Sequence, residues 1–202
     1  MMTAKEKLQR ASASVAFDGI FKYIKKKPQE NLLKLIDISQ KFMGGAFPEK
    51  NFDAFRKAVK DESNVWNHFA MNIINECDPR VIKNMLLALG LGAGVNGTKA
   101  VRANREKYKC NIPFIILFDP TSACNMRCAG CWAAEYGHKQ NLTFEEMDRV
   151  LTEGAELGTH ACLFTGGEPL MRKADIFRLC EKHRDIAFHA FTNGTLIDQA
   201  FC

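Results

Sequence analysis

The chain has 202 residues, 47% of them hydrophobic and 25% charged, enough to bury a core in one sizeable domain or two small ones and too apolar for a disordered or fibrous class. The net charge of +5 joins unlike halves: residues 1–110 hold 20 Lys and Arg against 11 Asp and Glu, while residues 111–202 hold 8 against 12. No apolar run reaches the roughly 18 residues of a membrane span, Met85 to Val95 being the longest candidate, and no apolar stretch follows the first charges as in a secretory signal.

The expected compartment is therefore the cytoplasm. The eight cysteines are expected to be thiols, metal ligands or small core residues rather than disulfides.

Residues 1–110 read as an all-helical region. Phe17, Ile20, Phe21 and Ile24 recur at spacings of three and four, and Pro28 opens a second helix with Leu32, Leu35, Ile36 and Phe42, stopped by Gly44 and Gly45. Phe52, Phe55 and Val59 mark a third helix, and Val65, Phe69, Ile73 and Ile74 a fourth, ended near Asp78 and Pro79. Val81 to Leu91 supplies a fifth, which the glycines at 90, 92, 94 and 97 are expected to break before a basic segment from Thr98 to Lys109. Lys22, Lys25, Lys26 and Lys27 could face an acidic partner, but they stand where a helix C-terminus favours Lys and lack the interleaved aromatics of a nucleic-acid site. A nucleic-acid partner is not expected from them.

From residue 111 the pattern becomes α/β. Ile112 to Phe118 is a short apolar run, as in a strand buried on both faces. Thr143 and Glu146 form a capping box for a helix to Leu157, with Gly158 as its stop. A strand at His160 to Phe164, a helix at Ala174 to His183 and a strand at Ile186 to Phe191 follow, and Leu196 to Cys202 reads as the start of another helix. Such alternation predicts a parallel sheet with its chemistry in the loops after the strands.

Those loops carry the unusual residues. Cys124, Cys128 and Cys131 fall within eight positions after the first strand. Three thiolates can hold a four-iron cluster with one iron left open, while zinc wants a fourth ligand, for which His138 or Cys110 could serve. Thr165-Gly166-Gly167-Glu168-Pro169 follows the second strand, where paired glycines admit close approach of a ligand to the backbone. Thr192-Asn193-Gly194-Thr195 follows the third. Cys162 and Cys180 read as core residues, as do Cys77, Cys110 and Cys202.

Cys124-x3-Cys128-x2-Cys131 followed by Gly166-Gly167-Glu168-Pro169 resembles the radical S-adenosylmethionine superfamily over residues 111–202. The resemblance implies an enzyme in which Cys124, Cys128 and Cys131 hold a [4Fe–4S] cluster. Gly166, Gly167, Glu168 and Pro169 would meet the methionyl end of S-adenosylmethionine, with Thr192 and Asn193 as further cofactor contacts. The cluster, reduced by a donor of the flavodoxin or ferredoxin class, would cleave that cofactor to a 5′-deoxyadenosyl radical. The family's usual aromatic residue before the third cysteine is replaced by Gly130, and Trp132 is the candidate to pack near the adenine.

A peptide or protein is the first expected substrate, by resemblance only, and nucleic-acid modification the second, on the basic half. The competing class is a non-catalytic iron–sulfur or zinc-binding module. The family's core is a partial barrel of six strand–helix units, of which residues 111–202 supply three strands. Residues 111–202 are therefore expected to be the first half of a (β/α)6 barrel following the helical region 1–110, and the chain to be incomplete as a catalyst by itself: a fragment, a truncated frame or a split enzyme.

Overall fold

The computed structural model describes residues 3–43, 48–137 and 139–201. Gly44, Gly45, His138 and Cys202 lie outside them. The chain divides into two compact units, Leu8–Asn84 and Met85–Cys202, the latter together with Met1–Lys7. Among the described residues no helix is long and apolar enough to cross a membrane.

Four helices account for most of the first unit: α1 (Ala4–Lys26), α2 (Pro28–Met43), α3 (Glu49–Lys60) and α4 (Val65–Glu76), with α5 (Pro79–Met85) closing it. Pro28 is the first residue of α2, where its missing N–H costs nothing. Asn64 caps α4 by accepting from the Trp66 amide. Phe21, Ile24, Phe52, Val59 and Ile74 are buried, whereas Ile20, Phe55 and Phe69 are exposed. Gln29 and Asn67 side chains both donate to the Val59 carbonyl, at 2.9 and 2.6 Å, binding α2 and α4 to the end of α3. Lys22, Lys25, Lys26 and Lys27 are all exposed at the end of α1.

The glycines at 90, 92, 94 and 97 do not break the chain. A π-helical segment covers Leu86–Gly97 and leads into α6 (Thr98–Tyr108). Close packing accounts for one of them: a Cβ on Gly97 would lie 2.6 Å from the Gly158 carbonyl oxygen. Side chains of α6 then fasten it to the sheet unit, with Asn104 donating to the Leu157 carbonyl at 3.0 Å and Arg105 to that of Ile112 at 2.8 Å.

The sheet is parallel, in the order β1 (Ile116–Phe118), β2 (Ala161–Phe164), β3 (Ala187–Ala190). Register aligns Ile116 with Cys162 and Phe188, and Phe118 with Phe164 and Ala190. Helices α7 (Phe144–Leu157) and α8 (Lys173–Lys182) cross between the strands and bury Met147, Leu151, Ile176 and Leu179 with Phe118 and Phe164 in one core. The capping box of Thr143 and Glu146 and the left-handed Gly158 delimit α7 as the sequence predicts.

The first strand is shorter than predicted and buried on one face only: Phe118 is buried, while Phe114, Ile115 and Leu117 are exposed. An apolar run cannot tell one covered face from two. Leu196 to Phe201 forms turns rather than a helix. Asp198 accepts from the Phe201 amide within that turn and from Lys173 Nζ at the start of α8, at 2.9 and 2.6 Å.

Candidate functional site

The three loops identified from the sequence lie together at the C-terminal edge of the sheet. The first, after β1, is closed at its neck. Thr121 bridges Asn141 antiparallel, the Ser122 amide donates to the Gln140 carbonyl at 2.8 Å, and the Leu142 amide to that of Pro120 at 3.1 Å. Arg172 seals the neck from outside, donating through Nη1 to the carbonyls of Leu142 at 2.8 Å and Pro120 at 3.3 Å while Asp175 holds the guanidinium.

Within this loop Cys124, Cys128 and Cys131 line a single cavity of about 370 Å³, with Met126, Arg127 and Gly167. Cys124 is half-buried and the other two are exposed. The Met126 amide points at Cys124 Sγ, 3.4 Å away, a donor suited to a thiolate. The turn from Cys128 to Cys131 carries Gly130 at φ +72°, a left-handed conformation that the family's usual aromatic residue would adopt only under strain. Among the described residues no three Cys, His, Asp or Glu side chains stand close enough to hold a metal ion as they are. The thiols share one cavity without being closed into a cage.

The donor set fits an iron–sulfur cluster. Three cysteine side chains, soft donors once deprotonated by a metal, line one cavity with Arg127. Cys110, the alternative fourth ligand for zinc, is exposed and does not line that cavity, and His138 is outside the described residues.

The second loop explains both glycines. Gly166 has φ +101°, and a Cβ there would lie 2.7 Å from the Thr121 carbonyl oxygen. A Cβ on Gly167 would run into the Ala123 carbonyl and lie 2.6 Å from that of Ser122. The backbone that demands glycine at 167 is therefore that of the cysteine loop itself, which is hydrogen-bonded across by Gly167 N to Thr121 O at 3.0 Å and Glu168 N to Ala123 O at 2.8 Å.

Glu168 is buried, at 1% exposure, and both of its carboxylate oxygens are hydrogen-bonded. Oε1 accepts from the Leu170 amide at 2.9 Å and Thr192 Oγ1 at 2.7 Å, and Oε2 accepts from the Asn193 amide at 2.8 Å. It joins the second loop to the third. Pro169 is buried behind it and starts a 3-10 turn to Arg172. Thr192 and Asn193 thus direct their polar groups toward neighbouring loops, and Asn193 also reaches Asn125 of the cysteine loop at 2.9 Å.

Trp132 is 61% exposed and meets Tyr136 edge-on at 5.8 Å between ring centroids. The pair lines a second cavity of about 450 Å³ with Phe118, Asp119 and Gly166. Ser122, Ala133 and Gly167 border both cavities, so the two adjoin.

Cys162 is buried as predicted and Cys180 half-buried, but Cys77 and Cys110 are exposed rather than core, each standing just past a helix end. Sequence reading missed Asn125, Arg172 and Asp175. Asn125 acts on Thr195, 70 positions away, and Arg172, held by Asp175 three residues on, acts on the carbonyls of Pro120 and Leu142; the long-range partners leave no mark in local spacing.

A parallel α/β sheet with a thiol triplet and a double-glycine loop at one edge is the class of protein defined so far. Residues 118–202 match the family model of the Radical SAM superfamily. An uncharacterized protein of Archaeoglobus fulgidus is 36% identical over 105 residues, covering 50% of this chain and 25% of its own. The Fe-coproporphyrin III synthase of Methanosarcina barkeri is 35% identical over 89 residues, 42% of this chain and 22% of its own. A GTP 3′,8-cyclase of Desulforamulus reducens is 36% identical over 81 residues, 38% of this chain and 24% of its own. No solved structure matches. The strand–helix part of the chain, residues 118–202, carries the match to the radical SAM superfamily, and the chain spans about a quarter of the length of these relatives.

Proposed function

We propose that the chain carries the cofactor-activating part of a radical S-adenosylmethionine enzyme, in which Cys124, Cys128 and Cys131 hold a [4Fe–4S] cluster. The observation that carries this reading is the sharing of one cavity by all three thiols, with Gly167 on its wall. When bound and reduced, cluster and S-adenosylmethionine supply a 5′-deoxyadenosyl radical for hydrogen abstraction from the substrate.

The chain's own residues bind and orient. Cys124, Cys128 and Cys131 would hold the cluster, which would supply an open coordination position for the methionyl end of the cofactor. Gly167 borders the space for that end, and Gly166, Trp132 and Tyr136 line the adjoining cavity, where the two rings offer an aromatic wall to the adenosyl end. Glu168 contributes by fixing the loop that bears Thr192 and Asn193. The barrel is proposed to continue beyond the three strands, and the electron donor to be of the flavodoxin or ferredoxin class. The named relatives, a synthase of Fe-coproporphyrin III and a GTP cyclase, favour a small-molecule substrate over the peptide first expected.

The test is anaerobic reconstitution of the chain with iron and sulfide. The expected result is close to one four-iron cluster per chain, lost in Cys128→Ala, with a paramagnetic spectrum of the reduced cluster that changes on adding S-adenosylmethionine. Tight four-coordinate zinc in place of iron would overturn the reading and favour a metal-binding module.

A further inference from the structure

Three side chains from two loops form a closed cycle of hydrogen bonds beside the first cysteine. Asn193 Nδ2 donates to Asn125 Oδ1 at 2.9 Å, Asn125 Nδ2 donates to Thr195 Oγ1 at 2.8 Å, and Thr195 Oγ1 donates to Asn193 Oδ1 at 2.7 Å. Each amide and hydroxyl in the cycle gives one hydrogen bond and takes one, so the donor directions agree around the ring. The Thr195 amide also donates to Asn193 Oδ1, at 2.9 Å. The ring is anchored in the interior because the Asn193 amide binds the buried carboxylate of Glu168.

The ring has a particular place relative to Cys124. On one side of that cysteine the Ala123 carbonyl accepts from the Glu168 amide, and on the other the Asn125 side chain is held by Asn193 and Thr195. Both neighbours of Cys124 are thereby fixed to the same Glu168–Asn193 unit. Cys128 and Cys131 are exposed, and the only backbone bond between them is the local turn from Cys131 N to Cys128 O at 3.3 Å, among the described residues.

Resting on the proposed function, we infer that Asn125 and Thr195 are positioning residues which latch the cysteine loop to the loop after β3 and so hold Cys124 ready for the cluster, while Cys128 and Cys131 close onto it afterwards. The latch makes the third-strand loop part of the cluster site without a ligand of its own.

Removing one ring member breaks two hydrogen bonds at an exposed site, so the fold should survive. The experiment compares the parent chain with Asn125→Ala, Thr195→Val and the conservative Thr195→Ser, which keeps the hydroxyl. In the metal-free chain, hydrogen exchange of the Met126 amide, bonded to Cys124 Sγ, and of the Glu168 amide, bonded to the Ala123 carbonyl, should quicken about fivefold in Asn125→Ala and Thr195→Val, as expected for about 1 kcal/mol of local restraint, and stay at the parent rate in Thr195→Ser. After reconstitution the first two variants should give a broadened, heterogeneous spectrum with S-adenosylmethionine, and Thr195→Ser the parent's.

Parent exchange rates in Asn125→Ala, or a parent-like spectrum in both disrupting variants, would overturn the latch. Failure of the parent chain itself to assemble an iron–sulfur cluster would overturn the proposed function instead. The metal-free exchange comparison decides the restraint in either case.

Discussion

Glu168→Gln is the substitution that best tests how the loops are held. The two side chains have the same shape, so the change is one of donors and acceptors only. Glu168 offers two acceptor oxygens to three donors: the Leu170 amide and Thr192 hydroxyl on Oε1, and the Asn193 amide on Oε2. A glutamine keeps one oxygen. Placed toward Leu170 and Thr192, it turns its own NH2 against the Asn193 amide, leaving two donors face to face at a site of 1% exposure.

The loss of one charge-assisted bond, the weakening of two others and one unpaired amide sum to about 3 kcal/mol, roughly a hundredfold in the folding equilibrium. Against a typical stability of about 5–15 kcal/mol this is large. Urea unfolding followed by Trp132 fluorescence, in a Trp66→Phe background, reads the sheet unit. Thr192→Val, which removes the hydroxyl that donates to Glu168 and accepts from the Gly194 amide, should cost about 2 kcal/mol by the same reasoning. A Glu168→Gln midpoint corresponding to a loss below about 1 kcal/mol would show that the carboxylate does not hold these loops.

Gly167→Ala should push the cysteine loop off the second-strand loop, since its Cβ meets the Ala123 and Ser122 carbonyls, and trypsin cleavage after the exposed Arg127 should accelerate in the metal-free protein; unchanged cleavage would contradict the contact. On the far side of the sheet unit, burial pushes the Asp148 carboxyl up, but hydrogen bonds from Lys182 and the His183 ring outweigh it and hold it below its ordinary value. With the folded value below the unfolded one of about 3.9, this clasp contributes fully above that pH and fades as pH falls through the folded value. The stability gap between the parent and Asp148→Asn should accordingly narrow on acidification from about pH 6 to about pH 3, and a pH-independent gap would contradict it. Burial also pushes the Cys162 thiol up to about 12 and the Cys180 thiol up to about 11. Iodoacetamide at about pH 8 should therefore modify Cys77, Cys110, Cys128 and Cys131 well before either, by peptide mass mapping, whereas labelling of Cys162 in step with Cys110 would refute its burial.

The sequence by itself determined what depends on near neighbours. Helix α7 is bounded by Thr143, Glu146 and Gly158 because caps act within one turn. The thiol triplet and the Gly166-Gly167-Glu168-Pro169 run are legible because their chemistry lies in spacing along one loop. Gly97 shows the opposite case: as a sequence element it reads as a break, yet it sits inside continuous helix because Gly158 packs against it. Likewise Ile112 to Phe118 reads as doubly buried, and only the packing of α7 on one side leaves Leu117 exposed.

Tertiary structure alone decided how the loops meet. Gly167 is required by the backbone of Ala123, Glu168 is consumed by donors at 170, 192 and 193, and Asn125 finds Thr195 across 70 positions. A carboxylate or amide in a loop has the same local signature whether it faces solvent, a ligand or another loop. Which of these it faces is fixed by the sheet register, which brings the ends of β1, β2 and β3 to one edge.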